Sequence, residues 1–137
     1  MHQKEETPKR VIIAGGRDFN NYKELKKYCD KMLSKISHKV EIVSGGARGA
    51  DRLGEKYAKE KGYKTYLYSA DWESYGKSAG VIRNEQMAEF ADLLIAFWDG
   101  ESKGTANMIG LAKGYGLGIR VYYYENPKPL KKDNERR

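Results

Sequence analysis

Three polar, glycine-rich segments hold the residues of this chain best suited to gripping an anion. They are Gly15-Gly16-Arg17-Asp18, Ser44-Gly45-Gly46-Ala47-Arg48-Gly49 and Asp99-Gly100-Glu101-Ser102-Lys103-Gly104-Thr105. Each follows a short apolar run: Val11–Ala14, Val40–Val43 and Leu93–Trp98. Glycine lets main chain approach a ligand closely and frees N–H groups to point outward. A helix starting just beyond adds its orphan donors and positive dipole end, which together suit phosphate. Three such loops at the carboxyl ends of parallel strands describe a ligand site.

The charged residues sharpen this reading. Arg48 adds a planar fork to the second loop, although a tight strand-to-helix turn with Arg48 in solvent explains the same residues. Arg17 and Asp18 sit just beyond the first strand, beside Asp99–Thr105 if the first and fourth strands are neighbours. The plainer alternatives are an Arg17–Asp18 pair within the loop, or Asp18 capping the first helix. Arg83-Asn84 lies in the first turn of a helix, where a cation is electrostatically unfavourable unless it meets an anion. Trp72 and Tyr75, nearby, can stack on a base or pack over the sheet edge, and packing is the favoured expectation. The second loop is not a dinucleotide fingerprint, because Ser44 stands where the first glycine belongs, and no segment matches G-x-x-x-x-G-K-[ST].

These residues need a frame, and the hydrophobic pattern supplies one. Arg10–Ala14, Val40–Val43, Thr65–Tyr68, Leu93–Trp98 and Ile119–Tyr124 read as five strands, continuous enough in apolar character for a parallel sheet covered on both faces. Tyr22, Leu25, Cys29, Met32, Leu33 and Ile36 recur at helical spacing, with Asn21 as cap and Glu24 as its box partner. Further helices are predicted over Ala50–Lys61, stopped by Gly62, near Gly80–Ala91, and near Thr105–Gly116. Right-handed crossovers then give a three-layer α/β sandwich, with a five-stranded parallel sheet in the order 3-2-1-4-5. Residues 10–124 form this one domain, between an N-terminal tail (1–9) and a basic, mobile C-terminal tail (125–137).

A chain of 137 residues is large enough for one self-sufficient core. The net charge of +7 invites a nucleic-acid reading, but residues 1–10 carry +1 and residues 127–137 carry +3, leaving +3 for residues 11–126. Cys29 is the only cysteine, which excludes an intrachain disulfide, and it reads as a small buried hydrophobe. His2 and His38 are the only histidines, so no metal site is expected. No apolar stretch spans a bilayer and no signal-peptide pattern opens the sequence, so no membrane partner and a cytoplasmic location are expected. No cofactor is expected.

The segment Ser44-Gly45-Gly46-Ala47-Arg48-Gly49-Ala50-Asp51 resembles the S-G-x-A-x-G-[IA]-D motif of the DNA-processing protein A (Smf) family. Arg83-Asn84-Glu85-Gln86-Met87, then Ala91-Asp92, then Gly100 to Thr105, resembles the lonely-guy pattern of R-K-x-x-M, A-D and P-G-G-x-G-T-x-x-E. Both families belong to the SLOG superfamily of Rossmann-like nucleotide-binding domains. Gly15-Gly16-Arg17-Asp18-Phe19, with Phe97-Trp98-Asp99-Gly100 and Ser102-x-Gly104-Thr105, is most similar to the YspA-like, cpYpsA-related bacterial and phage branch. The resemblance implies a site built from Gly15, Gly16, Arg17, Asp18, Ser44, Gly45, Gly46, Arg48, Gly49, Arg83, Asn84, Asp99, Gly100, Ser102, Gly104 and Thr105.

Lonely-guy enzymes cleave the N-glycosidic bond of nucleoside monophosphates with an arginine and a glutamate. Arg83 fills the arginine position, but Met108 stands in place of the glutamate and Trp98-Asp99-Gly100 in place of P-G-G. A thioether can neither stabilise an oxocarbenium-like centre nor activate water. The resemblance and this departure together imply a module that binds or senses a nucleotide or nucleotide-derived small molecule. The runner-up is a phosphoribohydrolase-like enzyme with a relocated carboxylate, with Arg83, Asp99 and Glu101 as catalytic candidates. Single-stranded DNA binding ranks below both. A homo-oligomer is left open, since Tyr122-Tyr123-Tyr124 fit an interface and a core strand equally well.

Overall fold

The computed structural model describes residues 7–125; what was expected of residues 1–6 and 126–137 lies outside them. The chain alternates β1 (Lys9–Gly15), α1 (Tyr22–Leu33), β2 (Val40–Ser44), α2 (Ala50–Lys61), β3 (Lys64–Leu67), α3 (Trp72–Tyr75), α4 (Ala79–Phe90), β4 (Leu93–Trp98), α5 (Lys103–Gly114) and β5 (Gly118–Tyr123). All four strand pairings are parallel, in the order β3-β2-β1-β4-β5. The sheet is the one the sequence predicts.

Alternation along β1 assigns its side chains to two cores. Val11 and Ile13 join Leu25, Cys29, Tyr57 and Phe97 on the α1–α2 face. Ile12 and Ala14 join Met87, Leu94, Ala96 and Met108 on the α4–α5 face. Period-two alternation in a strand buried on both sides requires apolar residues at every position, which is why β1 and β4 read as unbroken runs. Cys29 is fully buried, and loss of solvent pushes its thiol up to about 12, leaving it an inert packing residue. β3, at the sheet edge, is mostly exposed instead of covered on both faces.

Capping follows the sequence with two revisions. The Asn21 side chain accepts from the Glu24 amide at 3.1 Å. The Glu24 carboxylate does not close the reciprocal half of the box; it accepts from the Tyr122 hydroxyl at 3.0 Å and ties α1 to β5. Asn21 fills the cap position, so Asp18 is released from that role and accepts from the Tyr124 hydroxyl at 2.7 Å. Gly62 ends α2 at φ +76, as a left-handed terminator should.

The segment after β3 departs furthest from expectation. A single turn, α3, capped by Asp71 onto the Ser74 amide at 3.1 Å, runs through a 3₁₀ turn at Gly76–Ser78 into α4. Trp72 and Tyr75 are 53% and 52% exposed, so neither packs over the sheet edge. One turn of helix outside a short edge strand offers no opposing layer to bury them.

Candidate functional site

A cavity of about 600 Å³ opens above the carboxyl ends of β1 and β4, where the strand order reverses. Of the residues predicted for the site, Gly15, Gly16, Arg17 and Asp18 border it from the first loop, Arg48 from the second, and Arg83 and Asn84 from α4. Asp99, Ser102, Gly104 and Thr105 border it from the third loop and α5.

The first two loops are joined main chain to main chain. The Gly16 carbonyl accepts from the Ala50 amide at 3.1 Å, and the Gly16 amide donates to the Phe97 carbonyl at 3.1 Å. A Cβ on Gly49, whose φ is +82, would overlap the Gly16 carbonyl oxygen, and one on Gly15 would overlap that of Phe97. Glycine here serves close approach of backbone to backbone. Phe19 anchors the same corner, stacked on Phe97 at 5.1 Å and leaning on Tyr124 at 4.8 Å.

The loop amides divide into those bonded within the loops and those left open. In the second loop, the Gly46 amide donates to Ser44 Oγ at 3.1 Å and the Ala47 amide to Asp51 Oδ2 at 3.2 Å. The amides of Arg48 and Gly49 have no partner among the described residues. Neither do the first three amides of α5, at Lys103, Gly104 and Thr105, and Ser102 makes no side-chain cap. Orphan donors at the start of a twelve-residue helix, beside a cavity, carry the positive end of its dipole.

Three guanidinium groups border the cavity. Arg83 is half-buried and fixed, donating from Nη1 to the Gly45 carbonyl at 2.6 Å and from Nε to Asn84 Oδ1 at 3.1 Å. Asn84, itself buried, donates onward to Asn107 Oδ1 at 2.9 Å, which clasps α4 to α5. Burial lowers the pKa of Arg83, the carboxylate of Asp51 opposes that, and the charge of Arg17 adds to it. Arg17 and Arg48 are exposed and have no hydrogen-bond or ion-pair partner among the described residues. Like charges collected around one hollow are stabilised by an anion within it.

Asp51 is the principal site residue that sequence reasoning missed. It borders the cavity at 5% exposure, and burial pushes its carboxyl up to about 6, against the Ala47 amide and Arg83, which favour the charged form. In sequence it reads as an ordinary acidic residue in the first turn of a helix; its place at the end of the quoted loop motif was the available signal. Met87 and Met108, both 1% exposed, complete the cavity lining.

The remaining predicted residues shape the loops. Ser44 is fully buried and donates to Glu55 Oε2 at 2.6 Å. Gly45 supplies the carbonyl that holds Arg83, and Gly46 lies behind it, away from this cavity. Asp99 Oδ1 accepts from the amides of Glu101 and Ser102, both at 2.9 Å, and Gly100 at φ +84 makes the turn between them. Glu101 is exposed and outside the cavity. Among the described residues, no cluster of three or more His, Cys, Asp or Glu side chains is arranged to hold a metal, and no helix is long and apolar enough to cross a membrane.

A parallel sheet in this order, with glycine loops at its carboxyl edge, defines a Rossmann-like α/β module. The sequence profile of the YspA, cpYpsA-related SLOG family matches residues 9–75, from β1 through α3. The Gene 61 protein of Mycobacterium phage D29 is 33% identical over 117 residues, covering 81% of this chain and 94% of that protein. This chain belongs to the YspA, cpYpsA-related SLOG family. Among solved structures it is similar to DNA processing protein A from Helicobacter pylori, with a TM-score of 0.64 and 23% identity, over 94% of this chain and 71% of that one. The Helicobacter protein is described as having a unique single-stranded DNA binding mode. DNA processing protein A from Streptococcus pneumoniae gives a TM-score of 0.65 at 18% identity, over 94% of this chain and 55% of that one. At these identities the two structures establish a shared fold.

Proposed function

We propose that this chain binds a nucleotide or nucleotide-derived ligand by its phosphate, in the cavity between the first and third loops. The observation that carries this reading is the convergence of Arg17, Arg48 and Arg83 on a cavity that also receives the open N-terminus of α5. Fixed donors and a helix end suit a phosphate without any metal. The cavity volume falls within the range of about 300–1,000 Å³ common to small-molecule sites. The described fold of DNA processing protein A supports a nucleic-acid-related ligand by analogy of fold.

Binding is favoured over hydrolysis by Met108, a thioether in the cavity lining at the position where the lonely-guy sequence pattern has its glutamate. The test is titration calorimetry with a panel of mono-, di- and cyclic nucleotides, repeated on Arg48→Ala. Heat from at least one of them, weakened in the variant, supports the reading. No heat and no thermal shift with any of them removes it.

A further inference from the structure

A second hollow of about 570 Å³ lies behind the arginines, over the ends of β2 and β3. It shares Arg17, Ala47, Arg48 and Arg83 with the first, so the guanidinium groups form a ridge with a compartment on each side. Its far walls differ in kind from those of the first. Trp72 and Leu67, 53% and 59% exposed, present apolar surface. Glu55 presents a carboxylate, with Oε2 held by the Ser44 hydroxyl at 2.6 Å. The Trp72 ring lies toward Gly80, where an added Cβ would come within 3.6 Å of its Cη2.

Arg52 lines this hollow too, its Nε donating to the Gly46 carbonyl at 3.1 Å, and the Glu55 carboxylate offsets part of the arginine charge; the hollow is set apart from the first by the indole of Trp72. It suits a nucleobase, which stacks on an indole face and offers N–H donors to a carboxylate. We infer that the ligand carries two nucleoside units joined through phosphate, with the bridging phosphate on the Arg17–Arg48–Arg83 ridge, one nucleoside in the first cavity and the second base against Trp72. The inference rests on the phosphate site proposed above and names the ligand class that site takes. A linear dinucleotide and a stretch of single-stranded nucleic acid share this chemistry.

The experiment compares dissociation constants for adenosine monophosphate, a linear adenine dinucleotide with one phosphodiester, and a single-stranded oligodeoxyadenylate of about ten nucleotides, together with their guanine, cytosine and thymine equivalents. Binding is read by calorimetry and by quenching of tryptophan emission, in wild type, Trp72→Phe and Trp72→Ala. The dinucleotide is expected to bind about tenfold or more tighter than the mononucleotide. That ratio collapses toward one in Trp72→Ala and persists in Trp72→Phe. An oligonucleotide tighter than the dinucleotide, with the same Trp72 dependence, assigns the site to a strand; one equal or weaker assigns it to a small dinucleotide. A wild-type ratio near one for every base, or a ratio unchanged in Trp72→Ala, overturns the inference while mononucleotide binding still upholds the phosphate site. Binding of none of the probes overturns both.

Discussion

Arg83 lies in the second turn of α4, one turn further in than the sequence suggests, and reaches to the carbonyl of Gly45, 2.6 Å away, so joining the α4 side of the site to the loop after β2. Because the charge is anchored through Nη1 and Nε, its position is set before any ligand arrives. Preorganisation of this kind reduces the ordering cost of binding.

Arg48 and Arg83 therefore separate in mutagenesis. Arg48→Ala is expected to weaken nucleotide binding by about 1–3 kcal/mol with little change in urea stability. Arg83→Ala should weaken binding similarly and also cost about 1 kcal/mol of stability, since it leaves the Gly45 carbonyl without its donor. Calorimetry and urea denaturation on both variants check this; an Arg83→Ala protein as stable as wild type would show that the link to Gly45 contributes nothing.

Asp51 sets a pH dependence whose sign can be worked out. Its folded pKa, about 6, lies above the ordinary 3.8, so between these values the native chain holds a proton the unfolded chain has lost. This group's contribution to stability therefore falls as pH rises from about 4 to about 6, by roughly 3 kcal/mol in total. Asp30 and Glu60, with lowered pKa values, act in the opposite sense, their contribution being lost as pH falls. The difference between wild type and Asp51→Asn isolates the Asp51 share: the variant should gain relative stability as pH rises through that window. Binding of a phosphodiester, whose single charge is constant across this range, should also strengthen in wild type below about pH 6, as the cavity loses a negative charge.

Glycine substitutions should divide by backbone geometry. Gly49→Ala meets a φ of +82 and the Gly16 carbonyl, and is expected to cost at least about 1–3 kcal/mol. Gly110→Ala, inside α5 with open space around it, should stabilise by about 0.5–1 kcal/mol. Chemical denaturation of the two variants side by side tests the assignment.

Base release from nucleoside monophosphates is expected to be inefficient, because Met108 supplies no carboxylate and one oxygen of Asp99 is engaged by two loop amides. Chromatography of reaction mixtures checks it. Robust turnover, lost in both Asp99→Asn and Arg83→Ala, would establish the hydrolase instead.

The sheet order was legible because Val11–Ala14 of β1 and the whole of β4 are unbroken apolar runs, and the start and stop of α2 because Gly49 and Gly62 bracket its helical pattern. The site was legible as three loops. Which amides stay open was not: Ser44 and Asp51 turn back on the second loop and consume two of its donors, a choice made by tertiary geometry. Nor was the exposure of Trp72, since an aromatic near a sheet edge reads as packing until the missing outer layer is seen.

The seam between Gly16 and Gly49 is made of main chain, so the side chains of Arg17 and Arg48 take no part in holding it shut. The two jobs of the site are thereby uncoupled: the seam keeps its shape whatever occupies positions 17 and 48, while those positions address the ligand. A chain built this way can be retargeted by exchanging a few exposed residues, its architecture passing unaltered from one specificity to the next.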